Sequence, residues 1–167
     1  KINQMKINLE ENWQKIRTHF SKSFGANMHV SIASVNKDNL PTVTPIGSLF
    51  LNDNQTGFYF EKFATKLNTN SKTNKNICVL AVNSNKWFWF KSLLKMNFSE
   101  YPAIKLYGEL GIKRGATTKE YRAFQRRIRQ TKRLKGSKYL WQDMSMVREI
   151  KFTKGEKINL GKMTKEL

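Results

Sequence analysis

Residues 58–70 read FYFEKFATKLNTN, and two unlike patterns meet inside them. The aromatics Phe58, Tyr59 and Phe60 read as a strand. A few residues later Thr65 and Lys66 stand where the pattern predicts a helix to begin. A hydroxyl, a cation, unpaired first-turn amides and the positive end of a helix dipole meet at such a junction. That chemistry suits a phosphate. By itself, however, Thr65-Lys66 equally describes an ordinary capping threonine followed by a solvated lysine.

Upstream, Leu9, Trp13, Ile16 and Phe20 recur at helical spacing and predict an amphipathic helix over about residues 9–20. NMHVSIASV then alternates, with Met28, Val30 and Ile32 on one face. Turn residues Asn36 to Asn39 follow, and Pro41 opens a strand reaching about Leu51. NDNQTG is a second tight turn, leading into the aromatic strand. Downstream, NICVLAV is a continuous apolar run, the pattern of a strand buried on both faces. AIKLYGELGIK alternates and predicts a longer strand. Thr118 is the expected N-cap of a basic helix over about 119–134. Tyr121, Phe124 and Ile128 fall on the docking face of that helix, and Arg122, Arg126, Arg127 and Arg129 point elsewhere. MVREIKF and KINL return to strand. Many short strands with tight turns and two or three outlying helices predict a mainly β fold, a β-barrel with peripheral helices. With no repeat or linker visible, a single domain over residues 1–167 is expected.

Taken in order, a strand and turn, PTVTPIGSLFL, a second turn, GFYFEKFATKLNTN and NICVLAV resemble the flavin-binding split-barrel family related to pyridoxamine 5'-phosphate oxidase. The resemblance is good from His29 to Val82 and reduces to strand order from Ala103 onward. It implies a six-stranded FMN-binding split barrel that forms a homodimer, with flavin mononucleotide (FMN) in a groove between subunits. Thr44, Pro45, Ile46 and Gly47 match positions whose backbone lies along the flavin ring, and Thr65 and Lys66 match the phosphate grip. Lys62 would lend a second cation. Many relatives carry another basic residue where this chain has Ala64 and Thr65. Trp141 and Arg148 match C-terminal positions that, in relatives, complete the neighbouring subunit's flavin site.

An oxidoreductase is implied, with the flavin supplying the redox chemistry to an unidentified small-molecule substrate or electron donor. The flavin phosphate, with a charge near −2 like other phosphomonoesters, suits Lys66. Relatives also bind haem or a deazaflavin. Pyridoxamine 5'-phosphate oxidase activity itself is not expected, because its substrate-binding arginine and histidine set is missing near the C-terminus. No catalytic side chain is assigned: paired carboxylates, a Ser/His/Asp set and a Cys/His pair are all without legible spacing.

The formal charge of +19, from 31 Lys and Arg against 12 Asp and Glu, has two readings. One is attraction to nucleic acid; the other is compositional drift in an AT-rich genome, which also explains the abundant Lys and Asn. The alternative function is therefore a basic nucleic-acid-binding module working through the arginine-rich helix. The lone Cys78 precludes a disulfide framework within the chain and reads as a small buried residue. His19 and His29 make no metal site. No apolar run is long enough to span a bilayer and no signal-peptide pattern opens the chain, so a cytoplasmic location is expected. Lys1 in first place suggests a trimmed initiator methionine. KWFWF, residues 86–90, reads as a further strand packed in the core or at a dimer interface, with a membrane-interface or base-stacking role as the alternative, and no membrane partner is expected.

Overall fold

The computed structural model describes residues 5–167; Lys1, and with it the expectation of a trimmed methionine, lies outside the described residues. In chain order the elements are β1 (Lys6–Ile7), α1 (Leu9–Asn27), β2 (Val30–Val35), β3 (Pro41–Ile46), β4 (Leu49–Leu51), β5 (Thr56–Phe60), α2 (Thr65–Ser71), β6 (Asn76–Val82), α3 (Lys86–Lys95), β7 (Ala103–Gly115), α4 (Thr118–Arg127), α5 (Lys135–Trp141) and β8 (Met146–Lys157). A single 3-10 turn (Gly161–Thr164) follows.

All pairing is antiparallel, and the strand path runs β3-β2-β6-β7-β8-β5-β4, with β1 added beside β8. The two ends of that path, β3 and β4, are joined in the chain by Gly47 and Ser48 alone. A flat seven-strand sheet holds its edges tens of ångströms apart at about 4.8 Å per strand. Two residues cannot bridge that gap, so the sheet must curl until its edges meet. The result is a split barrel flanked by helices, of which α1 and α2 add side chains to its core. The longer path, against the six strands expected, comes from the break that divides the Pro41–Leu51 strand into β3 and β4.

Two cores hold the barrel. Inside, Ile32, Val79, Leu106, Ile150 and Tyr59 pack with Leu67 of α2 and with Trp13, Ile16 and Phe20 of α1. Outside, Phe58 and Phe60 pack with Phe124, Met144 and Val147. The consecutive aromatics of β5 therefore serve both faces: Tyr59 enters one core, Phe58 and Phe60 the other. Each such side chain contributes on the order of 1.5–3 kcal/mol by leaving water. Gly108 lets β7 approach β8, since a Cβ there would sit 2.3 Å from the Lys151 carbonyl oxygen.

Several expectations change. The KWFWF stretch is not a strand but the first half of α3; Asn85 caps it by accepting from the Phe88 N–H at 3.0 Å, and left-handed Met96 ends it. Four successive aromatics carry no period, so the cap decided the outcome. The basic helix stops at Arg127, and α5 is a separate helix. The cap of α4 is Thr117 rather than Thr118, in a reciprocal capping box with Glu120. On α4 only Phe124 is fully buried, while Tyr121 is exposed. Helix α1 runs on to Asn27, with Met28 as its left-handed C-cap instead of a strand residue. β6 is buried on one face only, so Cys78 is half-buried, and desolvation pushes its thiol pKa up. KINL lies beyond strand β8 apart from Lys157.

Candidate cofactor groove

Strand β3 is an edge strand, paired with β2 alone. Pro41 and Pro45 lie four residues apart, so both missing N–H groups fall on the unpaired side. Pro45 therefore offers that edge only a carbonyl. Thr44 and Ile46 stand opposite Ile32 and Val30. Just past them the chain turns at Gly47, and here a long-range contact appears. A Cβ on Gly47 would lie 3.2 Å from the Trp141 ring and 3.3 Å from the Met28 carbonyl oxygen. The indole of Trp141 thus rests against a residue with no side chain, and it also meets Phe124 edge-on at 5.5 Å.

Lys62 ties α5 to the same region. Its ammonium donates to the Gln142 carbonyl at 2.6 Å and sits 3.5 Å from that of Tyr139. Those carbonyls belong to the C-terminal end of α5, where a cation is favourable. Lys62 is therefore occupied by α5, next to Trp141.

Beyond it, α2 begins. Ala64, not Thr65, is the N-cap residue, and no side chain caps the helix. The capping explanation of Thr65 therefore fails. Thr65 and Lys66 are both exposed, and Lys66 takes part in none of the ion pairs among the described residues. Behind this helix start lies a network that sequence reading missed. Glu61, buried in the turn between β5 and α2, receives two hydrogen bonds from Arg148, each 3.0 Å long. Lys113 approaches the same carboxylate at 3.4 Å, and the Tyr59 hydroxyl donates to it at 3.2 Å. Arg148 also donates to Asn68 of α2 at 2.8 Å and to the Gly111 carbonyl at 3.2 Å. Burial first, and then the Glu61 charge, push the Tyr59 phenol far above its ordinary value, so it stays a donor. The arginine thus braces α2 against β8 and neutralises a carboxylate that would otherwise repel an anion. The available signal was Glu61 itself, the sole acid between Asp53 and Glu100.

Of the residues singled out from sequence, Gly47 and Trp141 come into contact, Lys62 joins them through α5, and Arg148 stands behind Thr65 and Lys66. Two cavities, of about 430 and 490 Å³, lie along α1 instead, and none of those residues lines them. Arg127 faces the first of these cavities, contrary to its expected place on the outward face of α4. Its guanidinium lies 4.1 Å from the Phe24 ring and 3.6 Å from that of Phe50 and donates to the Leu49 carbonyl; burial lowers its pKa to about 10. His19 is buried against the Ala81 carbonyl at 3.0 Å, and desolvation lowers its pKa. Among the described residues no group of three His, Cys, Asp or Glu is placed to hold a metal.

No family model matches the sequence, and no curated protein does. Solved structures do. An FMN-binding protein from Syntrophomonas wolfei is 15% identical, with 92% of this chain and 96% of that one covered at a TM-score of 0.59. A candidate pyridoxamine 5'-phosphate oxidase from Lactobacillus delbrueckii is also 15% identical, covering 90% and 98% at 0.56. HutZ, the haem storage protein of Vibrio cholerae, is 10% identical, covering 88% and 92% at 0.52. The chain has the split-barrel fold shared by pyridoxamine 5'-phosphate oxidase-like proteins. That fold accommodates flavin in one of these neighbours and is used by a haem storage protein in another.

Proposed function

We propose that this protein binds flavin mononucleotide and acts as an oxidoreductase, as a homodimer whose subunit interface holds the cofactor. The observation that carries the reading is the uncapped start of α2, where exposed Lys66 and Thr65 stand beside a neutralised Glu61. A dinegative phosphate needs a cation, hydroxyl and amide donors, and no opposing carboxylate. This junction meets all three needs. The edge of β3, with its turn at Gly47, would hold the ring through Thr44, Pro45, Ile46 and Gly47, and Trp141 and Lys62 would border it. Arg148 acts behind the phosphate site as a positioning residue for α2. When bound, the flavin supplies the redox chemistry; this chain's residues bind, orient and shield it.

A single subunit leaves Pro45, Thr65 and Lys66 exposed, so a second subunit would complete the groove. A cytoplasmic location belongs to the same reading; among the described residues no helix is long and apolar enough to cross a membrane. The test is the visible spectrum of the purified protein together with binding of FMN and riboflavin. Yellow protein, and FMN bound more tightly than riboflavin, are the expected results. A Soret band would assign haem instead, and a deazaflavin spectrum would assign that cofactor.

One observation favours a second reading. Arg122, Arg126, Arg129, Lys132 and Arg133 are all exposed around the end of α4, and the nearest acid, Glu120, is taken by Arg114 at 2.8 Å. Colourless protein that binds single-stranded RNA with a steep salt dependence would favour this nucleic-acid module.

A further inference from the structure

Among the described residues, helix α3 carries the most concentrated run of exposed large apolar side chains. Its inner side is clamped: Phe88 and Trp89 pack on buried Phe98 with ring centroids 5.4 and 5.1 Å away. The Trp89 indole N–H donates to the Asn83 carbonyl at 2.6 Å, and the Phe98 N–H donates to that of Met163 at 2.9 Å. The outer side has no cover. Trp87, Phe90 and Leu94 follow at i, i+3 and i+7 and are 65%, 50% and 71% exposed; Leu93 and Met96 beside them are 60% and 67% exposed. The Trp87 and Phe90 rings stack on one another at 5.4 Å instead of turning into the protein.

The charges on α3 itself are of one sign. Lys86, Lys91 and Lys95 are all exposed, and Lys91 lies 5.8 Å from the Trp87 ring. No acid occurs between Glu61 and Glu100, and Glu100 is paired with Lys22 at 2.6 Å. A second copy seated on this face would bring lysines against lysines between chains that each carry +19. An anionic surface neutralises them. Trp, Phe and Leu on one side of a short helix, flanked by lysines, form the pattern of a helix lying in a bilayer interface. At ten residues α3 is about 15 Å long, which suits lying in the interface and not crossing.

We propose that α3 is a peripheral membrane-docking element that inserts Trp87, Phe90 and Leu94 among anionic lipids, with Lys86, Lys91 and Lys95 at the headgroups. The proposal stands apart from the flavin reading. The expectation of no membrane partner rested on residues 86–90 packing in the core or at a dimer interface, and the exposure of Trp87 and Phe90 removes the first of those grounds.

The test is co-sedimentation of the full chain with vesicles of phosphatidylcholine containing about 30% phosphatidylglycerol, against pure phosphatidylcholine, at low salt and at about 0.5 M salt. We expect binding to the anionic vesicles about tenfold or more stronger than to the neutral ones, and weakened by salt. The Trp87→Ala/Phe90→Ala/Leu94→Ala variant, its circular dichroism unchanged, should lose binding about tenfold, as should Lys86→Gln/Lys91→Gln/Lys95→Gln. Tryptophan fluorescence should shift to the blue with vesicles, except in Trp87→Phe. Three results would overturn the proposal. One is no binding to the anionic vesicles. Another is binding that survives the apolar variant, which would assign it to the basic segment around α4. The third is an apolar variant that turns a dimer into a monomer, which would assign the face to a second copy.

Discussion

Arg148→Met tests the brace behind the groove most directly. The Glu61 side chain is 4% exposed and that of Arg148 12%, and two 3.0 Å bonds join them. Removing the arginine leaves the carboxylate buried with Lys113 at 3.4 Å and the Tyr59 hydroxyl at 3.2 Å. Stranding one member of a buried pair costs about 3–5 kcal/mol, and the two remaining partners place this case near 3. With a urea slope of about 2 kcal/mol/M, the unfolding midpoint should fall by about 1.5 M while the slope stays unchanged. Glu61→Gln/Arg148→Met removes both charges and should recover much of that loss, because the desolvated carboxylate is gone. Asn68 also loses its 2.8 Å bond, so α2 should loosen and FMN binding should weaken in both variants. A single substitution costing less than about 1 kcal/mol, the range of exposed pairs, would refute the reasoning. So would a double variant no more stable than Arg148→Met.

Lys66→Ala should weaken FMN binding by about 10- to 100-fold, one charge-assisted bond, with riboflavin nearly unaffected; titration calorimetry with both ligands decides it, and equal losses would remove Lys66 from the phosphate. Gly47→Ala must push back either the Trp141 ring or the Met28 carbonyl, so it should cost about 1 kcal/mol and alter Trp141 fluorescence. An unchanged emission spectrum would place the indole elsewhere. The Glu120 carboxyl pKa is lowered from 4.5 to about 2, by Arg114 first and then by the Thr117 cap. Its stabilisation is present in full above its unfolded pKa and disappears as pH falls from about 4.5 toward 2; solvent screening holds it to about 1 kcal/mol. Glu120→Gln should therefore lower stability at pH 7 and leave it unchanged near pH 2, as thermal melts at the two pH values would show.

Patterns confined to a few residues were legible before any coordinates. Turn residues at Asn36–Asn39, the alternation of β7, the helical spacing of Leu9, Trp13, Ile16 and Phe20, and the strand-to-helix junction at Thr65-Lys66 all carry local periods or local turn chemistry, and each stands in the structure. Residues 86–90 do not, because consecutive aromatics fit a strand or a helix equally until Asn85 caps one of them. The candidate site was legible in part. Gly47 and Lys66 were singled out through the family resemblance, while Trp141 on Gly47, Lys62 under α5 and Arg148 against Glu61 depend on contacts 77 to 94 residues apart along the chain.

The sequence by itself determined where strands, turns and most helices lie and which junction is rich in phosphate donors, since those properties arise from neighbours a few residues apart. Tertiary structure alone decided which strands pair to close the barrel, that a buried carboxylate is neutralised behind α2, and that α3 turns its aromatics outward. Each of those outcomes is an energy of pairing or burial between segments distant in the chain, and no local pattern records which distant partner a residue will meet.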